Sequence, residues 1–136
     1  MGHSYVSCLM HCVFSTKERR PQIVPDLQDR LWAYLGGIAR DHSMTAISIG
    51  GTCDHCHALL SLPGKMDVSK AMQLIKGGSS KWVHDTFPRL RDFAWQEGFG
   101  AFSIAVSQID RTVAYIQRQT QHHRRKTFKE EFLAFL

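Results

Sequence analysis

The run Cys53-Asp54-His55-Cys56-His57-Ala58-Leu59-Leu60 holds the side chains best suited to chemistry. If it is a strand, successive side chains alternate between faces. His55 and His57 then point the same way and Cys56 points into the opposite layer. Two imidazoles on one face of a rigid strand make half of a metal site, although an isolated H-x-H pair fits two surface or hydrogen-bonded histidines equally well. The same run offers a rival grouping, Cys53-x-x-Cys56 with His57, as a zinc site. Alternation argues against it, because the two cysteines would lie on opposite faces unless the segment is a loop. His122 and His123 make a poor second pair, since adjacent helical residues diverge by about 100°.

A second constellation lies in residues 109–126, IDRTVAYIQRQTQHHRRK. On a helical period Ile109, Val113 and Ile116 share one face and should pack on a sheet. Tyr115, Gln119 and His122 fall on the opposite side, at i, i+4 and i+7. Arg111 and Arg118 flank them. A tyrosine in a row of polar and basic groups is poorly explained by packing, although a plain surface tyrosine remains the alternative. Tyr34, near the apolar stripe of an earlier helix, and Tyr5, at the start of a strand, are better explained as structural.

These groups need elements to position them. Residues 5–15 are rich in β-prone side chains and predict a first strand, closed by the charged, proline-containing KERRP turn. From Asp26 onward, Leu27, Leu31, Leu35 and Ile38 recur at helical spacing. Strands are expected over 45–49 and 53–62, separated by Gly50-Gly51. After the Pro63-Gly64 break, a helix over 67–84 carries Val68, Met72, Ile75 and Trp82 on its apolar stripe. A last strand over 102–107, a helix over 109–121 and a short terminal helix over 127–136 complete the chain. The first six elements match the ferredoxin-like βαββαβ pattern, an α+β fold with an antiparallel sheet and helices on one face. That fold hosts RNA binders, metal carriers and enzymes, so it decides nothing about function by itself.

Composition narrows the partners. The 136 residues fit a single domain over 1–136, and at 43% hydrophobic the chain can bury a core. No stretch approaches the roughly 20 apolar residues of a membrane span, and the N-terminus lacks the basic region of a secretory signal. A cytoplasmic location is expected, with no membrane partner. Lys and Arg outnumber Asp and Glu by 17 to 12, a surplus that attracts polyanions, nucleic acid first. The surplus is clustered at Lys17, Arg19 and Arg20 and at Arg124, Arg125 and Lys126, although either cluster taken singly fits a solvated turn. The four cysteines suggest reduced core thiols or a metal site rather than a disulfide framework.

Taken together, the strand H-x-H, the tyrosine with a glutamine one turn later and the basic ferredoxin-like chain resemble the HUH-type single-tyrosine transposases of the smallest bacterial insertion sequences. The resemblance covers nearly the whole chain, through residues 11–21 (HCVFSTKERRP), 54–60 (DHCHALL), 76–82 (KGGSSKW), 93–103 (FAWQEGFGAFS) and 113–123 (VAYIQRQTQHH). It implies that His55 and His57 are the HUH pair, with Cys56 at a middle position that usually holds a larger aliphatic residue. It implies Tyr115 as the nucleophile, Gln119 as the third metal ligand and Mg²⁺ or Mn²⁺ as the cofactor. No second tyrosine follows Tyr115 in its helix, which sets the chain apart from two-tyrosine replication initiators and relaxases.

The implied reaction cleaves and rejoins single-stranded DNA at hairpin-bearing element ends through a 5′-phosphotyrosine. The implied assembly is a homodimer in which the tyrosine helix of one subunit can complete the His pair of the other. Candidate DNA contacts are Lys17, Arg19, Lys70, Lys81, Arg124, Arg125 and Lys126. Two alternatives stand beside this: a domesticated nuclease acting on hairpin DNA, and a non-catalytic nucleic-acid-binding module that would need aromatic residues on an open sheet.

Overall fold

The structure is a computed structural model that describes residues 6–119. The expected helix over 127–136, the Arg124-Arg125-Lys126 cluster and the His122-His123 pair lie outside the described residues. The main elements run β1 (Leu9–Ser15), α1 (Pro25–Asp41), β2 (Thr45–Gly51), β3 (His55–Ser61), α2 (Val68–Thr86), β4 (Gly100–Ile104) and α3 (Ile109–Gln117). The strands form one sheet in the order β2-β3-β1-β4, every neighbouring pair antiparallel. This is the ferredoxin-like arrangement predicted by the element order, with the tyrosine helix appended.

Strand alternation divides the sheet into two chemistries. Met10, Cys12 and Phe14 of β1 and Cys56, Ala58 and Leu60 of β3 turn to one face. There they join Leu27, Leu31, Leu35 and Ile38 of α1 and Ala71, Met72, Ile75 and Val83 of α2 in one apolar core. That burial holds the two helices on the sheet. Local signals fix their starts: Pro25 opens α1, where its missing N–H costs nothing. Asp67 caps α2, its Oδ1 accepting from the Lys70 amide at 2.7 Å. The opposite face carries His11 and Val13 of β1 with His55, His57 and Leu59 of β3, and α3 lies on that side against β2 and β3.

Several boundaries differ from expectation. Strand β1 begins at Leu9 rather than at residue 5. Gly50 and Gly51 do not separate two strands; they end β2, paired with His57 and Cys56, and the reversal falls on residues 52–54. Gly50 is there because α3 crosses β2 at that point. A Cβ on Gly50 would sit 2.9 Å from the carbonyl oxygen of Ile116 and 3.0 Å from its Cγ2. The last strand spans Gly100–Ile104 instead of 102–107 because its ladder with β1 ends at the Leu9–Ile104 pair. Beyond it the chain tightens into a 3-10 turn at Val106–Gln108, where Gln108 Oε1 accepts from the Ala105 amide at 2.8 Å. No helix among the described residues is long and apolar enough to cross a membrane.

Candidate active site

The sheet register builds the site. Val13 pairs with His57 and His11 with Leu59, so His11 and His57 are diagonal neighbours on one face, within reach of long or aromatic side chains. Their rings join through His11 Nε2 and His57 Nδ1 at 3.0 Å, and both are buried. His55 lies two residues back along β3, its ring centroid 5.1 Å from that of His57. Tyr115 of α3 closes over this group. Its ring meets His57 edge-on at 5.5 Å and His11 at 5.9 Å between centroids. Three imidazoles and a phenol thus occupy one water-poor surface between β1, β3 and α3.

The fixed end of His55 is its Nδ1. Asp54 Oδ1 lies 2.8 Å away and also accepts from Arg19 Nη2 at 3.1 Å and from the Thr52 hydroxyl at 3.1 Å. Burial alone would raise the Asp54 carboxyl. The hydrogen bonds from His55 and Arg19 and the charge of Arg19, joined by that of His55 when it is protonated, outweigh it and hold the carboxyl down at about 2. An ionised Asp54 can only accept, whereas Arg19 Nη2 at 3.2 Å and the Thr52 hydroxyl at 3.0 Å also face His55 Nδ1.

Arg19 reaches this position from a strained turn. Glu18 and Arg19 both adopt left-handed φ values, 57° and 53°, a conformation that costs a non-glycine residue about 1–2 kcal/mol. Neighbouring hydrogen bonds hold the turn. The Glu18 amide donates to Gln96 Oε1 at 2.8 Å, and the Thr16 hydroxyl donates to the Arg20 carbonyl at 2.6 Å. The Gln96 loop is itself held by α2: Lys76 Nζ donates to the carbonyls of Gln96 and Gly98, each at 2.7 Å, and Trp95 Nε1 donates to Ser79 Oγ at 2.9 Å. The KGGSSKW and FAWQEGFGAFS motifs thus brace the turn that aims Arg19 at Asp54.

Gln119 supplies the remaining contact. Its Oε1 lies 3.4 Å from His55 Nε2, while its amide nitrogen donates to the Tyr115 carbonyl at 3.3 Å. With Nε2 protonated the ring donates to that oxygen; with Nε2 bare the two are lone-pair atoms converging on a position suited to a cation. The residues present fit a divalent ion bound by imidazole and amide oxygen. No group of three or more His, Cys, Asp or Glu among the described residues is arranged as a metal cage. The zinc alternative fails on geometry. Cys53 is exposed in the reversal, whereas Cys56 lies in the helix-side core with its thiol pushed well above the usual range by burial.

One expectation is overturned. Gln119 does not project from the side of α3 opposite its core stripe. Thr112, Ile116 and Gln119 form the buried row, and Tyr115 touches the same sheet face. The helix ends at Gln117, and the Gln119 amide donates back to the Ile116 carbonyl at 3.2 Å. That tighter turn rotates Gln119 inward. The underlying reason is that this sheet face mixes His11, His55 and His57 with Val13 and Leu59, so a mixed row of the helix, with Ile116 between Thr112 and Gln119, is the one that docks.

The expected basic contacts are scattered. Arg19 belongs to the site and Lys17 is exposed on the same turn. Lys70 and Lys81 lie on α2, across the sheet, where Lys81 pairs with Asp85 at 2.8 Å. Thr52 escaped the sequence reading, and His11 and Asp54 entered it only inside motifs, with no role assigned. Alternation puts His11 on the odd-numbered face of β1, but only the register of β1 against β3 brings it to His57.

Residues 4–119 match the family described as "Transposase IS200 like". The chain is 26% identical over 122 residues to the transposase for insertion sequence element IS200 of Salmonella typhimurium, covering 90% of this chain and 80% of that one. It is likewise 26% identical over 125 residues to the ISDra2 transposase TnpA of Deinococcus radiodurans, with 89% of each covered. Among solved structures it resembles a candidate transposase from Deinococcus radiodurans R1, with a TM-score of 0.69 at 21% identity over 88% of this chain and 97% of that one. It also resembles a REP-associated tyrosine transposase bound to a REP hairpin, with a TM-score of 0.63 at 21% identity over 87% and 70%. A histidine-bearing sheet face, a docked tyrosine helix and a match across most of the sequence converge on one assignment: the chain belongs to the IS200-like transposase family.

Proposed function

We propose that this transposase cleaves and rejoins single-stranded DNA at element ends through a covalent bond between Tyr115 and a 5′ phosphate. The observation that supports it most is the meeting, within one chain, of Tyr115 and Gln119 with the His55–His57 face. The phenolic oxygen of Tyr115 attacks phosphorus, the bond from phosphorus to the 3′ oxygen breaks, the phenol gives up its proton and the 3′ oxygen takes one up. A phenol pKa of about 10 makes tyrosine both a usable nucleophile and a good leaving group when a 3′ hydroxyl reverses the step. The bond energy is kept in the phosphotyrosine, so rejoining needs no ATP.

His55 and His57 through their ring nitrogens, and Gln119 through Oε1, would hold Mg²⁺ or Mn²⁺. When bound, the ion supplies polarisation of the scissile phosphate and neutralises charge developing on its oxygens. Arg19, anchored on Asp54, and Lys17 beside it offer positive charge at the entrance. Lys70, Lys81, Arg124, Arg125 and Lys126 are the further candidates for phosphate contacts. A hairpin-bearing single strand is the proposed substrate, in keeping with the REP hairpin held by the similar solved structure. A cytoplasmic homodimer is part of the same proposal.

The non-catalytic module is disfavoured by a specific feature. The sheet face that such a module would open to bases is occupied by α3 and by the His11–His57–Tyr115 group. The test is incubation with single-stranded element-end DNA and Mn²⁺, followed by denaturing electrophoresis. Wild type should give a shifted protein–DNA adduct and Tyr115→Phe none. No adduct with wild type on its own element ends would sink the assignment. Cleavage of genomic hairpins without joining would favour the domesticated nuclease.

A further inference from the structure

We infer that Asp54 and His11 are positioning residues that hold the rings of His55 and His57 in the same Nδ1–H tautomer, leaving Nε2 of each as the lone-pair donor. The inference deepens the metal reading above and rests on it for the direction of the His11–His57 bond. The Asp54 side stands on geometry. Three groups face His55 Nδ1: the ionised Asp54 carboxylate at 2.8 Å, the Thr52 hydroxyl at 3.0 Å and Arg19 Nη2 at 3.2 Å. The shortest contact is to the carboxylate, which can only accept and which also takes up the Arg19 and Thr52 donors, so the ring donates to it.

The His11 side follows from the sheet. Of two neutral imidazoles joined Nε2 to Nδ1 at 3.0 Å, one donates and the other accepts. If His57 offers Nε2 to a cation, its Nδ1 carries the proton, His11 Nε2 accepts, and His11 keeps its own proton on Nδ1. Both rings are nearly inaccessible, at 2% and 1% exposure for His11 and His57, so bulk water does not compete for this bond. Neighbouring strands of one ladder fix the two rings, which makes the acceptor a rigid one. Outer partners of this kind set ring orientation and ligand basicity, and losing one typically costs roughly 10–100-fold in metal affinity. The two acceptors differ in strength: Asp54 is charged and should raise the basicity of His55 more than the neutral His11 raises that of His57.

The test reads the rings directly. Nitrogen-15 correlation spectra of the histidine side chains are recorded on metal-free wild-type protein at mildly alkaline pH. Nδ1–H on both His55 and His57 is expected; Nε2–H on either would overturn the inference. Mn²⁺ titration by calorimetry or electron paramagnetic resonance gives a second readout. His11→Phe keeps the ring packing but removes the acceptor, and should weaken binding roughly tenfold or more. His11→Gln, whose amide oxygen reaches a similar point, should recover most of the loss. Asp54→Ala should weaken binding further than His11→Phe, with Asp54→Asn intermediate.

Unchanged Mn²⁺ affinity in both His11→Phe and Asp54→Ala would also overturn the inference. Should a variant fail to fold, the wild-type tautomers decide alone. Wild-type protein with both rings as Nδ1–H but no Mn²⁺ binding would uphold the positioning and sink the metal reading instead.

Discussion

Asp54 joins three neighbours, accepting from His55, Arg19 and Thr52, and this gives its charge a measurable consequence. Its carboxyl is held at about 2, below its ordinary value of 3.8. A group whose folded value is depressed stabilises the fold fully above its unfolded value and loses that contribution as pH falls through the folded one. Wild type should therefore lose on the order of 1–2 kcal/mol between about pH 4 and pH 2, after discounting for partial exposure. Asp54→Asn should flatten that part of the profile in urea titrations at stepped pH. An equally steep acid limb in Asp54→Asn would show that another carboxyl carries it. Cys56 illustrates the opposite case at the same scale. It sits beside the site residues in sequence, yet it is wholly buried on the other face, where it behaves as a small apolar side chain.

Where elements meet, the decisive contact is α3 on β2. Gly50 admits the Ile116 backbone, and Gln117 Nε2 donates to Ser48 Oγ at 2.7 Å, pinning the helix to the same strand. Gly50→Ala should push the helix outward by a few tenths of an ångström and cost about 1–3 kcal/mol in melting experiments. Because Tyr115 and Gln119 ride on that helix and the turn after it, adduct formation should fall more than the stability loss explains. A variant that melts earlier but forms adduct at the wild-type rate would separate helix placement from chemistry. The second contact is the α2 brace. Lys76→Met removes a charged donor from two carbonyls and should destabilise by about 1.5–3 kcal/mol. The Gln96 loop supports the Glu18–Arg19 turn, so amide exchange should quicken at Glu18 before it does in β1.

For the whole molecule, the question is which chain completes which site. The resemblance implied that one subunit's tyrosine helix can serve its partner's His pair. Here Tyr115 and Gln119 lie against His55 and His57 of their own chain. Mixing Tyr115→Phe with His57→Ala protein should therefore restore no adduct in this arrangement, because each chain carries one broken site. Recovery of activity in the mixture would mean that α3 exchanges between subunits during the reaction. The net charge of +5 adds an ionic term. Affinity for single-stranded DNA should fall steeply as salt rises, with a slope that reports the phosphates engaged, and Lys17→Ala should make it shallower in fluorescence titrations at several salt concentrations.

Much of this was legible in the linear chain. Period-two alternation put His55 and His57 together and Cys56 apart, and period-3.6 stripes marked α1 and α2, because local backbone geometry alone sets those faces. The order of elements sufficed for the ferredoxin-like sheet. Three things waited for the tertiary structure. His11 joined the site only through the offset of β1 against β3. Gly50, which looked like a turn signal, proved to be a docking point, because its need for space comes from a helix more than 60 residues away in sequence. Tyr115 and Gln119 turned toward the sheet rather than away from it, since a helical wheel identifies a polar row but not what that row will meet. Periodicity tells which side chains share a face; only packing decides which faces touch.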